Sequence, residues 1–200
     1  MRHPLSYIPR RYRILMRRHG PEALIWRRRI AILGGVIAIG LIALLFAALA
    51  DWANELFHAM IGWRWWLPLI LTPAGFAAFV WLTLRFVPEA GGSGIAQVMA
   101  ATRDPARGLD RLASTRTALA KFFLTIGTLL FGASVGREGP TAQIAAAIMG
   151  HAHRWMRIPL RSSVYIAGGA AGVAAVLIAG MVSLGLAGDY VYRDKIIRSR

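Results

Sequence analysis

Residues 30–50 read IAILGGVIAIGLIALLFAALA, with no charged or strongly polar side chain. A helix crossing a hydrocarbon core of about 30 Å needs roughly 20 apolar residues. Inside lipid, every backbone N–H and C=O must find its partner within the protein, which leaves a single segment of this kind only the helix. A second run, WWLPLILTPAGFAAFVWLTL, covers Trp65–Leu84; a shorter one covers Phe122–Gly136, and the longest, rich in Gly and Ala, covers Ser162–Gly188. With 56% of its 200 residues hydrophobic and 16% charged, the chain lacks the polar surface of an ordinary soluble domain. The sequence predicts an all-α integral membrane protein with several tilted and broken transmembrane helices, packed helix on helix rather than against lipid alone. The apolar core of the first run is too long for a cleaved signal peptide, so it is read as a retained span.

The net charge of +15 is not spread as a stripe on a polar domain. Arg2, Arg10, Arg11, Arg13, Arg17, Arg18, Arg27, Arg28 and Arg29 precede the first run, against Glu22 alone. This asymmetry places the N-terminus in the cytoplasm, on anionic headgroups, and argues against nucleic acid as a partner. Aromatic and basic residues are not interleaved in any polar segment, as a single-strand binder would require. With no cysteine, the chain has no disulfide, thiolate metal site or cysteine nucleophile. His151 and His153 fit an interfacial basic patch with Arg154 and Arg157 better than a metal site. No metal and no cofactor are expected, and no covalent chemistry, so the chain is not read as an enzyme.

Residues 1–29 are expected as a basic interfacial segment, 30–192 as one membrane domain and 193–200 as a basic tail. Helix one is predicted over about 29–53, ended by Asp51, Asn54 and Glu55, with Pro21 starting a separate turn before it. Helix two is predicted over about 64–87, with Trp63, Trp65 and Trp66 at the aromatic belt and a kink at Pro68 and Pro73. Residues 102–117 read as a loop, 116–134 as helix three, 140–153 as a further helix, and 162–188 as one span or a broken pair.

Two places share one design, an apolar run, a glycine-rich break and a new helix: GGSGIAQ at 91–97 and GREGPTAQ at 136–143. The first N–H groups of a helix have no intrahelical acceptor, and the dipole makes that end partly positive. Two such ends aimed at one point in a membrane would hold an anion without a full positive charge. Ser93 adds a hydroxyl donor, and Pro140 suits a first turn where a missing N–H costs little. Glu138, placed just before the second helix, is itself an anion able to occupy the same position. The alternative is packing and capping: small residues also mark close helix crossings, and an acidic residue near a helix start also caps it.

Gly92-Ser93-Gly94-Ile95 resembles the GSGIP motif of the CLC family of chloride channels and chloride/proton antiporters, and Gly136-Arg137-Glu138-Gly139-Pro140 matches its GREGP motif completely. LAKFFLTIGTLLFGASVGREGP, with Lys121, is similar to the family helix that leads into that motif, and AGGAAGVAAV to the small-residue helix after it. The resemblance covers roughly residues 30 to 175. It implies that Ser93 coordinates the central anion with the backbone near Gly94 and Ile95, that Glu138 is the external gate, and that Gly136, Arg137, Gly139 and Pro140 shape the anion path around it. It implies chloride as the transported partner, a lipid bilayer, a bacterial inner membrane, and either a homodimer or a complementary half-chain as the assembly, although the helices that usually form the family's dimer interface have no counterpart here.

Ala96 stands where the motif has proline. After Ala175 the family continuation is replaced by VLIAGMVSLGLAGDYVY, leaving no counterpart of the inner proton-relay glutamate, and the second inverted half with its GxFxP motif and tyrosine ligand has no counterpart either. The expectation is therefore a chloride transport protein of CLC type, channel or transporter, comprising about one half of the inverted-repeat architecture, truncated, without proton coupling and not conducting by itself. The alternative is a non-conducting membrane scaffold, or a half-transporter completed by a partner chain carrying the second repeat.

Overall fold

The computed structural model describes the backbone of residues 10–198 and the side chains of residues 22–182, except Leu24 and Ala106. Arg2 lies outside the described residues, as do the side chains of the other arginines before residue 22 and of the 193–200 tail. The described residues form helices α1 (Arg10–Trp63), α2 (Leu67–Phe86), α3 (Ile95–Arg103), α4 (Pro105–Asp110), α5 (Thr115–Leu130), α6 (Glu138–Trp155) and α7 (Ser162–Arg198), with a 3-10 turn at Pro88–Ala90 before α3. Three stretches are long and apolar enough to cross a membrane: Ile25–Trp63, Leu67–Phe86 and Ser162–Val182.

Several boundaries differ from those expected. The backbone of α1 continues through Pro21, joining the basic segment to the first span, and it does not stop at Asp51–Glu55. This stretch is met by partners from elsewhere in the fold. Arg137 pairs with Asp51, and the Phe57 ring fills the space over Gly132, where an added Cβ would lie 2.7 Å from Phe57 Cε2. Residues 102–117 are not a simple loop. Asp104 accepts from the Arg107 N–H at 3.4 Å and Pro105 opens α4, an N-cap with proline at the first helical position. Tyr165 Oη donates to the Pro105 carbonyl at 2.6 Å, and Ser162 Oγ to the Thr102 carbonyl at 2.7 Å, tying this connection to α7. Helix α5 ends at Leu130, before Gly132 at φ +85°. The last apolar stretch is one unbroken helix.

The core is built from small residues. Gly168 and Gly172, one turn apart on α7, lie against Ala145, Ala146 and the Thr141 carbonyl of α6. A Cβ at Gly172 would sit 2.7 Å from Thr141 O, so the two backbones approach as closely as glycine permits. Helix α6 is buried along nearly its whole length. It runs antiparallel to α1: Arg137 meets Asp51 at one end, while Gly35 faces Met149 and Ala152 towards the other. Helix α2 docks on α5 through a reciprocal exchange. Phe131 sits over Gly75, Phe79 sits over Gly127, and the two rings meet edge to face at 5.7 Å. Most of its other large apolar side chains, among them Leu69, Ile70, Val80, Trp81 and Leu84, are exposed, as expected of a surface meeting lipid tails or further helices.

Candidate anion site

The first break is a backbone device. After the 3-10 turn the chain passes through Gly92 at φ +75° and Gly94 at φ +97°, a region that L side chains avoid. Gln97 then reaches back: its Oε1 accepts from the Gly94 N–H at 2.9 Å, and its Nε2 donates to the Gly91 carbonyl. Helix α3 starts at Ile95, so the Ile95 and Ala96 N–H groups open it without an intrahelical acceptor. The Ser93 side chain is exposed beside them.

The second break starts α6 at Glu138, two residues earlier than expected, so Pro140 is its third residue and still removes only an N–H that the helix could not have used. The Glu138 and Gly139 N–H groups head this helix. Thr141 locks its first turn by donating both its N–H, at 3.3 Å, and its hydroxyl to the Arg137 carbonyl. The Glu138 side chain is exposed and folds back over Gly136, where an added Cβ would lie 3.1 Å from Glu138 Oε2. Its carboxylate has no ion-pair partner among the described residues.

These two breaks, 44 residues apart at Gly94 and Glu138 (138 − 94), touch. A Cβ at Gly94 would overlap the Gly139 carbonyl, and a Cβ at Gly139 would overlap the Ser93 carbonyl. Glycine at both positions is what lets the start of α3 and the first turn of α6 share one place. The structure therefore brings Ser93, Gly94 and Ile95 together with Gly136, Arg137, Glu138, Gly139 and Pro140. Two partly positive helix ends converge there, next to one hydroxyl and one unpartnered carboxylate.

Three further side chains hold this arrangement, and sequence reasoning gave none of them a role at the site. Lys121, 5% exposed, donates its Nζ to the Ala90 carbonyl at 2.8 Å and to the Gly92 carbonyl, fixing the first break from behind. Gln143, 1% exposed, donates to the carbonyls of Leu112 at 2.8 Å and Glu89 at 3.1 Å, tying α6 to the turn before α3. Asp51 Oδ1 holds the Arg137 guanidinium at 2.8 Å, one residue before Glu138. A lysine directly before the apolar run FFLTIGTLLFG was the signal available for Lys121, since an ionisable group among apolar side chains is costly unless it is paired. His151 and His153 bond to the carbonyls of Ala147 and Met149 on their own helix, and His151 also meets Thr115 Oγ1 at 3.0 Å. Among the described residues no three His, Cys, Asp or Glu side chains group as a metal site would require.

The sequence profile of the voltage-gated chloride channel family matches residues 74–188, more than half of the chain and both breaks with it. The chain belongs to the voltage-gated chloride channel (CLC) family. It is similar to the "H(+)/Cl(-) exchange transporter ClcA" of three strains of Vibrio cholerae serotype O1, at 36% identity over 124 residues in each case. That alignment covers 60% of this chain and 25% of each relative, so the chain spans about a quarter of the length of the curated relatives it matches. The all-α membrane architecture of broken helices, expected as part of the CLC fold, is that of a family member.

Proposed function

We propose that this CLC-family chain contributes one side of a chloride pathway across a membrane, with Ser93 and the N–H groups of Ile95 and Ala96 facing the ion and Glu138 as its gate. The observation that carries the reading is the backbone contact between Ser93–Gly94 and Gly139, which puts two helix N-termini at one point. Helix-end N–H groups attract chloride through partial charges, so the ion is held without the deep well a bare guanidinium would create. The Glu138 carboxylate is the competing anion: deprotonated, it occupies the helix-end field, and protonated or displaced it leaves the field to chloride. Lys121 and the Asp51–Arg137 pair act as positioning groups, fixing the two breaks rather than touching the ion. The N-terminus lies in the cytoplasm of a bacterial inner membrane, on the charge asymmetry of its arginines. Binding and passage of an ion require no bond making, and no enzymatic step is assigned.

The test is chloride flux in reconstituted vesicles at varied external pH. Glu138→Gln mimics the protonated gate, and flux in that variant is expected to lose its pH dependence; pH dependence equal to the unmodified protein's would refute the gate role.

A second reading is favoured by the exposure of Ser93 and Glu138, which leaves the site open on one side. Here the chain is a half-transporter, or a non-conducting scaffold, and a partner chain carrying the second repeat or a second copy closes the coordination shell. Chloride efflux from liposomes holding this chain alone separates the two: selective efflux supports the first, and its absence with recovery on adding the partner supports the second.

A further inference from the structure

At the end of the molecule remote from the anion site, α6 finishes in a tight turn of specific geometry. The Arg157 N–H donates to the Arg154 carbonyl at 3.0 Å and the Ile158 N–H to the His153 carbonyl at 2.9 Å, with Ile158 buried against the turn. This paired bonding ends a helix on a left-handed residue, a place that glycine normally fills. Here it is filled by Arg157 at φ 55°, the sole non-glycine residue with positive φ among those described. A side chain kept at a strained backbone position points to a role for that side chain.

Its surroundings suggest which role. Arg157 is exposed and has no ion-pair partner among the described residues; its neighbour Arg154 is already committed to Asp110 at 2.6 Å. The antiparallel packing of α1 on α6 sets Gly35 against Met149 and Ala152, so Arg28, two turns earlier on the same face of α1, reaches the end of α6. Arg28 is exposed and likewise has no ion-pair partner among the described residues. Two unneutralised guanidiniums from different helices thus sit at one rim of the membrane span. Trp155, 81% exposed, lies two residues before Arg157, and indole rings favour the headgroup layer.

We infer that Arg28 and Arg157 form a binding site for the phosphate of an anionic phospholipid, seated between α1 and the turn after α6. The occupant is a lipid rather than a free ion because the site opens beside exposed Trp155 and Ile25, on which acyl chains and glycerol can lie. Planar guanidiniums grip phosphate with paired, charge-assisted hydrogen bonds.

The purified protein in a neutral detergent is titrated with phosphatidylglycerol and, separately, with phosphatidylcholine, and bound lipid is counted by native mass spectrometry. Phosphatidylglycerol is expected to be retained selectively. Arg28→Gln and Arg157→Gly are each expected to weaken that retention about fivefold. Arg157→Gly also relieves the backbone, so its thermal midpoint should rise by about 2–4 °C while lipid binding falls, a pairing that loss of folding cannot produce. Arg64→Gln, beyond the other end of α1, should leave retention unchanged. Unaltered phosphatidylglycerol binding in Arg157→Gly, an equal loss in Arg64→Gln, or displacement of the lipid by an equal concentration of inorganic phosphate would each overturn the site.

Discussion

Gly139→Ala isolates the contact on which the anion site depends. Gly139 lies in the first turn of α6 with no positive φ, so the substitution carries no backbone strain of its own. Its whole effect is steric: the new methyl overlaps the Ser93 carbonyl, a backbone atom that cannot rotate aside. The two helix starts must separate, and forced overpacking of this kind costs about 1–3 kcal/mol. Gly94→Ala meets the Gly139 carbonyl in the same way and adds a left-handed residue, for about 1–2 kcal/mol more. Gly40→Ala is the opposite case. Nothing lies within 4 Å of the added Cβ, and a helix-interior alanine is favoured over glycine by up to about 1 kcal/mol. Unfolding of the three variants in detergent, followed by circular dichroism across a denaturant series, should therefore rank Gly40→Ala above the parent, Gly139→Ala below it and Gly94→Ala lowest. Equal midpoints for Gly139→Ala and Gly40→Ala would refute the direct contact between the two breaks, and with it the convergence of the helix ends.

Lys121→Met keeps the length of the side chain but strips the donor from the Ala90 and Gly92 carbonyls. Loss of these charge-assisted bonds should cost about 2–3 kcal/mol in the same assay and weaken chloride binding measured by calorimetry. A double-mutant cycle on Asp51→Asn and Arg137→Gln should return a coupling of about 1 kcal/mol or less, because the two side chains keep 46% and 27% of their exposure.

The order of the helices was readable because hydrophobic length alone answers to the thickness of a bilayer. The runs at Ile30–Ala50 and Trp65–Leu84 became α1 and α2 for that reason. Their ends were less readable. Asp51, Asn54 and Glu55 looked like a stop signal, since polar residues close to a span normally mark its exit, yet Arg137 and Gly132 receive that stretch from the far side of the fold and α1 runs on to Trp63. Helix α4 carried its own cap and proline signals in RDPARG, but six residues are too short to be stable alone, and it is held by burying Leu109 in the core and by the Tyr165 hydroxyl on the Pro105 carbonyl.

For the site, the residues in the two glycine-rich breaks were identifiable one by one, because glycine, a hydroxyl and a lone carboxylate are anomalous inside an apolar chain and the order of the motifs is that of a known family. Their meeting was not. Which break faces which, and how closely, depends on α6 being gripped by the glycines of α7, on Gln143 bridging to Glu89 and Leu112, and on Lys121 reaching the first break from α5. Those are contacts between segments distant in the chain, and local composition carries no record of them. The sequence by itself determined that this chain crosses a membrane and where its helices break. The tertiary structure decided that the two breaks share one point, because only packed backbones without intervening side chains can bring two helix ends that close.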